Sequence, residues 1–204
     1  MTEQYFQYGE KEINYLKNKD KRLGEVIERV GMVERRVIPD LYAALIHAIV
    51  GQQISSKAHE TIWRRITDAL GAITPEKIST MSVEDVQSFG ISFRKAGYIK
   101  DITEKITSGE FPLEALYRMS DEEVCKRLSS LHGIGVWTAE MLMLFSMQRP
   151  NILSFNDLAI IRGMKIVYHH RKITREMFER YRRRLSPYCS VASLYFWKVA
   201  GGQY

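Results

Sequence analysis

The sequence predicts an all-α protein, and three observations predict it. Apolar residues recur three and four apart through nearly every segment. Most segments carry their own start and stop residues, and neither a repeat nor a low-complexity linker interrupts them. A chain of 204 residues, 45% hydrophobic and 26% charged, also has the apolar content to bury a sizeable core.

After Pro39, read as a first-turn residue, Leu41, Leu45, Ala48 and Ile49 share a helix face that runs to Gly51. A second helix is expected from near Ser55, with Ala58, Ile62, Ile66 and Ala69 on one side and Gly71 at its end. Thr74-Pro75 and Ser82-Val83-Glu84-Asp85 start two short helices, and Ala96, Ile99, Ile102 and Ile106 carry a longer one that stops at Gly109. Ser120-Asp121-Glu122-Glu123 is a capping box, so a helix spans about 121 to 130. Val136 to Met147 forms the next. Arg149-Pro150-Asn151 breaks it before a short extended piece, Ile152-Leu153-Ser154, and Asp157 opens another helix. Met177, Tyr181 and Leu185 make one stripe, and Val191, Leu194 and Lys198 mark a last helix after Pro187, for about ten in all.

Thirty Lys and Arg against 24 Asp and Glu give a net charge of +6, which favours a polyanionic partner without establishing one. Cys125 and Cys189 have no Cys or His at metal-ligand spacing around them, which argues against a zinc ribbon or an iron–sulfur cluster and for two reduced core thiols. His47, His59, His132, His169 and His170 form no metal-binding pattern. The polar N-terminus lacks the apolar segment of a signal peptide, and no run of about 18 apolar residues appears. A cytoplasmic protein without a membrane span is the expectation.

Between the helices near 121–130 and 136–147 lies Leu131-His132-Gly133-Ile134-Gly135-Val136-Trp137-Thr138-Ala139, in which two glycines frame one apolar residue. Glycines let a ligand approach the backbone closely, and amides at the start of the following helix point outward with positive dipole, an arrangement suited to phosphate. Such a turn grips one DNA strand without reading its sequence. On the glycines alone, an ordinary helix–helix turn is the competing reading.

Twenty residues after Trp137 stands Asp157, in Ser154-Phe155-Asn156-Asp157-Leu158-Ala159-Ile160-Ile161-Arg162-Gly163. A hairpin of the form LxGIGxWTA followed at this distance by an Asp that opens a helix resembles the helix-hairpin-helix (HhH-GPD) DNA glycosylase superfamily, in particular the AlkA-type 3-methyladenine-DNA glycosylases. Ala48-Ile49-Val50-Gly51-Gln52-Gln53-Ile54-Ser55-Ser56-Lys57-Ala58, Phe93-Arg94-Lys95-Ala96-Gly97-Tyr98-Ile99 and Ser190-Val191-Ala192-Ser193-Leu194-Tyr195-Phe196-Trp197 are similar to further segments of that branch. The resemblance implies a two-lobed helix-hairpin-helix fold, with DNA and the base pocket in the cleft between lobes. It implies one compact unit over residues 1–204 with interleaved lobes and no extra N-terminal β-rich domain.

It further implies Asp157 as the catalytic carboxylate, beside the sugar carbon of a nucleotide extruded from the duplex, where it would stabilise an oxocarbenium-like transition state and orient or deprotonate water. Asp is equally a preferred N-cap, with Asn156 as the competing cap. Bifunctional members place a Schiff-base lysine where Trp137 stands, so no lyase activity of that type is expected. An alkylated purine is cationic or electron-poor, and an aromatic pocket discriminates it by stacking. Trp137 and Trp197 match aromatic positions of that pocket, with Tyr195 and Phe155 as weaker contributors, and Met141 departs from an aromatic position. Helix aromatics are also ordinary core.

For DNA contact, the resemblance points to the hairpin residues Gly133, Gly135, Val136 and Thr138, to Gln53 and Ile54 as a minor-groove wedge, and to Ser55 and Lys57 as phosphate contacts. Gln53 also reads as a plain polar turn. The backbone carbonyls of Ser129, Leu131 and Ile134 would hold a structural K+ or Na+; no other cofactor is expected. Arg180-Tyr181-Arg182-Arg183-Arg184 reads as a solvated helix face more readily than as a nucleic-acid patch. The expected partner is double-stranded DNA containing damaged bases, bound by a monomer. The competing functions are a glycosylase for deaminated or etheno bases, a catalytically inert DNA-structure-binding protein, and a helical protein-interaction scaffold.

Overall fold

The computed structural model describes residues 3–204, and among these twelve α-helices, one 3-10 helix and a single two-stranded antiparallel sheet carry the regular structure. The chain separates into two compact, interleaved units: Met1–Val37 with Met143–Tyr204, and Ile38–Leu142.

In the first unit, β1 (Gln4–Tyr5) pairs with β2 (Arg36–Val37) on either side of α1 (Glu10–Lys19) and α2 (Lys21–Val30) in the chain. These two helices are additional to those the apolar pattern predicts. Asp20 ends α1 and caps α2: its carboxylate accepts the Leu23 amide at 3.1 Å, the Tyr168 hydroxyl at 3.1 Å and Arg184 Nη1 at 3.0 Å. Such a buried acid is tolerated because each of these contacts is a donor or a cation.

The same unit holds α10 (Leu158–Tyr168), α11 (Arg175–Leu185) and α12 (Cys189–Ala200), with α12 packed along α10 and against α2. Every residue of α12 from Cys189 to Phe196 is buried, which is why its sequence is apolar all round rather than amphipathic. Gly163 sets the spacing of α10 on α12, because a Cβ there would stand 2.2 Å from the Phe196 carbonyl oxygen. On α11 the buried stripe is Phe178, Tyr181 and Leu185; Met177, expected in it, is only half-buried.

The second unit comprises α3 (Leu41–Gly51), α4 (Ser56–Leu70), α5 (Pro75–Ser79), α6 (Val83–Gln87), α7 (Phe93–Thr107), a 3-10 helix (Leu113–Arg118) and α8 (Asp121–Leu128). The chain then enters α9 (Val136–Phe145), whose last residues belong to the first unit. Asp40 caps α3 by accepting the Ala43 amide at 2.7 Å, so Pro39 lies before the helix rather than in its first turn. The start signals at Ser55, Thr74, Ser82 and Ser120 all act as N-caps, each accepting an amide three residues on. α8 ends two residues before the expected boundary and α9 stops at Phe145 rather than Met147. Residues 152–154 are buried without forming a strand. Both cysteines are free, Cys189 buried and Cys125 half-buried. Among the described residues no helix is long and apolar enough to cross a membrane.

Candidate active site

Asp157 is the N-cap of α10, and Asn156 is not. Its Oδ1 accepts the amides of Ala159 and Ile160, each at 2.9 Å, and the residue is 7% exposed. Two bonds to the first helical turn fix the carboxylate's orientation, and the helix dipole adds to the hold on a negative group. The capping reading is therefore correct as far as it goes. A carboxylate locked to one orientation is also what charge stabilisation at a single atom requires.

The segment that delivers Asp157 is stapled to α12 by two serines. The Ser190 amide donates to the Pro150 carbonyl at 2.9 Å, the Ile152 amide donates to Ser190 Oγ at 2.9 Å, and Ser190 Oγ donates to the Arg149 carbonyl. Ser193 Oγ donates to the Ile152 carbonyl at 2.9 Å. Both serines are wholly buried, and they bond backbone that lacks a strand partner, which explains polar residues in an otherwise apolar helix. In the sequence these serines stand out only through family likeness, and their three-residue spacing on α12 is the signal for this role.

Among the aromatic candidates of this unit, Trp197 is half-buried with its ring 5.4 Å from that of Phe145, over which the Arg35 guanidinium lies at 5.0 Å. Tyr195, expected to line the base pocket, is a core residue: it has no exposed surface and its hydroxyl donates to the Gly31 carbonyl at 3.0 Å. Burial pushes its hydroxyl well above the usual tyrosine range, so it stays a neutral donor. Phe155 packs edge-on against Phe178 at 5.1 Å, with the Arg175 guanidinium 4.9 Å from its ring. The Arg180–Arg184 run is partly tied up within the unit, since Arg182 pairs with Glu179 at 3.6 Å and Arg184 with Asp20.

In the second unit the hairpin turn runs from Ser129 to Gly135. Gly133 adopts φ 83°, and a Cβ on it would stand 2.6 Å from Tyr98 Cδ2, so glycine is needed there for both conformation and space. Gly135 meets nothing within 4 Å, and its carbonyl accepts the Ala139 amide at 2.9 Å as the first bond of α9. The exposed side of that first turn bears Gly135, Val136 and Trp137, the last two each 47% exposed, with Thr138 alongside them. A large apolar residue left exposed at a helix start favours a ligand-facing role over core packing. Met141, one turn on, is half-buried. The Leu131 carbonyl accepts the Ile134 amide at 3.1 Å within the turn.

Gln53 and Ile54 are both exposed in the loop between α3 and α4, and Gln53 takes the left-handed conformation with φ 55°, uncommon for a side chain larger than Asn. Ser55 caps α4 by accepting the Ala58 amide at 3.3 Å, and Lys57 is exposed on its first turn. Nothing in the sequence gives a role to Gln52 or Lys95. Gln52 Nε2 donates to the Gly133 carbonyl at 2.7 Å, and Lys95 Nζ donates to the carbonyls of Val50 at 2.9 Å and Gln52 at 2.6 Å. Burial first, and then Arg94, lowers the Lys95 pKa from its usual value. Next to this loop His47 and His59 lie with ring centres 4.1 Å apart, and the His59 ring occupies the space a Cβ on Gly51 would need. The His47 pKa is lowered to about 4, by burial first and His59 second.

A mostly helical chain that displays a two-glycine hairpin in one unit and a buried, helix-capping carboxylate in the other has the parts of a helix-hairpin-helix DNA-processing protein. Residues 46–187 match the family described as HhH-GPD superfamily base excision DNA repair protein. The chain belongs to that superfamily, among members of the 3-methyladenine glycosylase type. It is 35% identical over 164 residues to DNA-3-methyladenine glycosylase 1 of Schizosaccharomyces pombe, covering 78% of this chain and 72% of that protein. The DNA-3-methyladenine glycosylase of Bacillus subtilis is longer, and the chain spans 58% of it at 27% identity. In three dimensions the chain is similar to the crystal structure of a Bacillus halodurans DNA-3-methyladenine glycosidase, with TM-score 0.86 and 33% identity over 97% of this chain and 93% of that one. The Schizosaccharomyces pombe 3-methyladenine DNA glycosylase in complex with abasic DNA is similar at TM-score 0.77 and 32% identity, covering 92% and 95%.

Proposed function

We propose that this protein is a monofunctional DNA glycosylase that excises alkylated purines, 3-methyladenine among them, in base excision repair. The observation that carries the reading is Asp157, a buried carboxylate held by two backbone amides at the head of α10, in a chain that shares its fold with a glycosylase captured on abasic DNA.

The hairpin turn supplies amides at the start of α9 for a phosphate, so that binding depends on backbone charge and weakens with salt. Gln53, with Ile54, enters the stack where the nucleotide leaves it. The exposed face of Trp137, with Met141 one turn on adding polarisable surface, favours an electron-poor base, and the Trp197 ring offers the same chemistry in the first unit. Asp157 stabilises positive charge as it develops on the sugar and orients the attacking water. Trp137 cannot form a Schiff base with the sugar, and the reaction ends at hydrolysis.

The carbonyls of Ser129, Leu131 and Ile134 are hard oxygen donors of the kind that hold a K+ or Na+ ion, and the one bonded within the turn, Leu131, has a second lone pair to offer. Such an ion would add positive charge beside the phosphate-binding amides. The protein acts as a monomer on damaged duplex DNA, in the cytoplasm with the chromosome.

The test is release of free base from methylated duplex DNA, separated by chromatography, with enzyme in excess. Release of 3-methyladenine is the expected result. Hypoxanthine or uracil released in its place would move the reading to deaminated bases, and salt-dependent binding of abasic duplex without any release would make it an inert DNA-binding protein. Borohydride should trap no enzyme–DNA adduct.

A further inference from the structure

Three residues on one stripe of α7 reach towards both DNA-contacting segments of the second unit. Lys95 bonds the carbonyls of Val50 and Gln52, at the root of the loop that carries Gln53. One turn on, the Tyr98 ring lies under Gly133, filling the space a side chain there would need. One turn further, Asp101 stands 3.0 Å from His132 Nδ1 while also holding Lys105 at 2.9 Å. Gln52 closes the triangle by donating from its side chain to the Gly133 carbonyl at 2.7 Å, while its own carbonyl is the one Lys95 takes at 2.6 Å.

We propose that Gln52 and Lys95 are positioning residues that lock the Gln53 loop to the hairpin turn, so that gripping the backbone and wedging the stack act on DNA as one rigid body. Of the glycosylase reading the proposal takes only its two DNA-contacting segments and the need to extrude a base, and it assigns roles to residues that touch neither DNA nor base. Gln53 holds a left-handed backbone that an L-residue enters at a cost, and it does so with an exposed side chain. Flanking contacts must therefore supply the restraint. The three hydrogen bonds of Gln52 and Lys95 are part-buried and involve the residues just before Gln53, two of them on carbonyls at the end of α3, where the helix's own ladder runs out. A loop tied to the hairpin at 2.7 Å cannot drift when the hairpin seats on phosphate. A loose loop would have to be ordered at the moment of extrusion, and that ordering would raise the barrier for a paired base more than for one already unpaired.

The experiment compares Gln52→Met, which keeps the side-chain length and removes the donor, with Gln52→Glu, which sets an acceptor against the Gly133 carbonyl. Lys95→Met is the second probe. Single-turnover base release is measured on a lesion in a fully paired duplex and on the same lesion opposite a gap or mismatch, beside thermal melting of each variant. The expected result is a loss of about three- to tenfold on the paired duplex, the worth of one hydrogen bond, with a clearly smaller loss on the mispaired one and Gln52→Glu more affected than Gln52→Met. Equal losses on both duplexes, or none on either, would overturn the proposal. If Lys95→Met melts too low to assay, the two Gln52 variants decide alone. Should the wild type release no base, fluorescence of 2-aminopurine placed beside the lesion reports extrusion directly. A ratio of paired to mispaired signal unchanged by Gln52→Met would sink the lock, whereas failure of chemistry with that ratio shifted would sink only the glycosylase reading.

Discussion

Replacing Asp157 by Asn and by Ala separates the helix cap seen in the structure from the catalytic charge proposed for the same carboxylate. Oδ1 accepts two amides of the first turn of α10, and Asn keeps an oxygen in that place while removing the charge. What Asn gives up is the interaction of charge with the helix terminus, about 0.3–1 kcal/mol. Ala gives up the cap and leaves two amides at a buried site unsatisfied, a loss of about 1–3 kcal/mol. For a chain of this size each kcal/mol lowers Tm by roughly 2–4 °C, so Asn should melt within about 4 °C of the wild type and Ala roughly 2–12 °C below it.

Activity should rank differently. Removing a group that stabilises charge only in the transition state costs about 3–4 kcal/mol, or a factor of about 100 to 1,000 in the rate of base release. Asn should suffer that loss in full although it melts almost normally, and Ala should be no more impaired in rate than Asn at a temperature where both are folded. The assays are differential scanning calorimetry and single-turnover release of 3-methyladenine. The reasoning is refuted if Asn releases base at an appreciable fraction of the wild-type rate, for then Asp157 is a cap and nothing more. Rates that simply follow the melting temperatures would refute it equally.

Gly163→Ala should destabilise the first unit by about 3 kcal/mol, the upper end of ordinary overpacking, because its Cβ would press on backbone at Phe196 that has no rotamer to escape into; a thermal melt unchanged from wild type would show that α10 and α12 can part easily. Gln53→Ala should weaken binding to lesion duplex by roughly tenfold and to undamaged duplex much less, measured by fluorescence anisotropy, and equal losses would count against a wedge. His47 supplies a pH prediction. Its pKa is about 4 in the folded chain against 6.5 unfolded, so the unfolded state binds the extra proton first and stability falls as pH drops from about 6.5 to 4, by about 3 kcal/mol, levelling below both values. His47→Phe should flatten that part of a urea-unfolding stability profile, and an unaltered slope would mean that the ring is reached by solvent.

Most helix boundaries are legible in the sequence because the caps are local chemistry: Ser55, Thr74, Ser82, Ser120 and Asp157 each mark a start that needs no knowledge of the rest of the chain. α1 and α2 are hard to read for the opposite reason. α1 buries only Leu16 fully and α2 only Leu23, Gly24 and Ile27, so the apolar signal is thin. What fixes their junction is Asp20, whose partners Tyr168 and Arg184 lie more than 140 residues away. The site divides in the same way. Asp157 and the hairpin glycines can be read from a short window, whereas Gln52, Lys95, Ser190 and Ser193 act through carbonyls 41 to 81 residues distant, and a carbonyl is identical at every position of a sequence. Tyr195 misleads a sequence reading because an aromatic in a helix that is apolar all round gives no sign of which neighbour it meets.

The placement of Asp157 also bears on why a carboxylate would serve the proposed reaction. A buried anion is held only where donors meet it, and two backbone amides of α10 are among the donors that meet Oδ1. Amides carry fractional charge, so they fix the orientation of the group without neutralising it, and in the proposed reaction its field would act on the developing positive charge. The segment leading to Asp157 is held by hydroxyl-to-backbone bonds from Ser190 and Ser193, again neutral groups that order without adding charge. If orientation is what they provide, removing one of them should cost rate as well as stability, even where the variant is fully folded. Ser193→Ala should lower stability by about 1–2 kcal/mol, roughly 2–8 °C in Tm, and slow base release by about tenfold at a temperature where the variant is folded. Release at the wild-type rate from a variant melting that much lower would show that the Ser193 bond supports the fold and leaves the orientation of Asp157 to the bonds its own carboxylate makes.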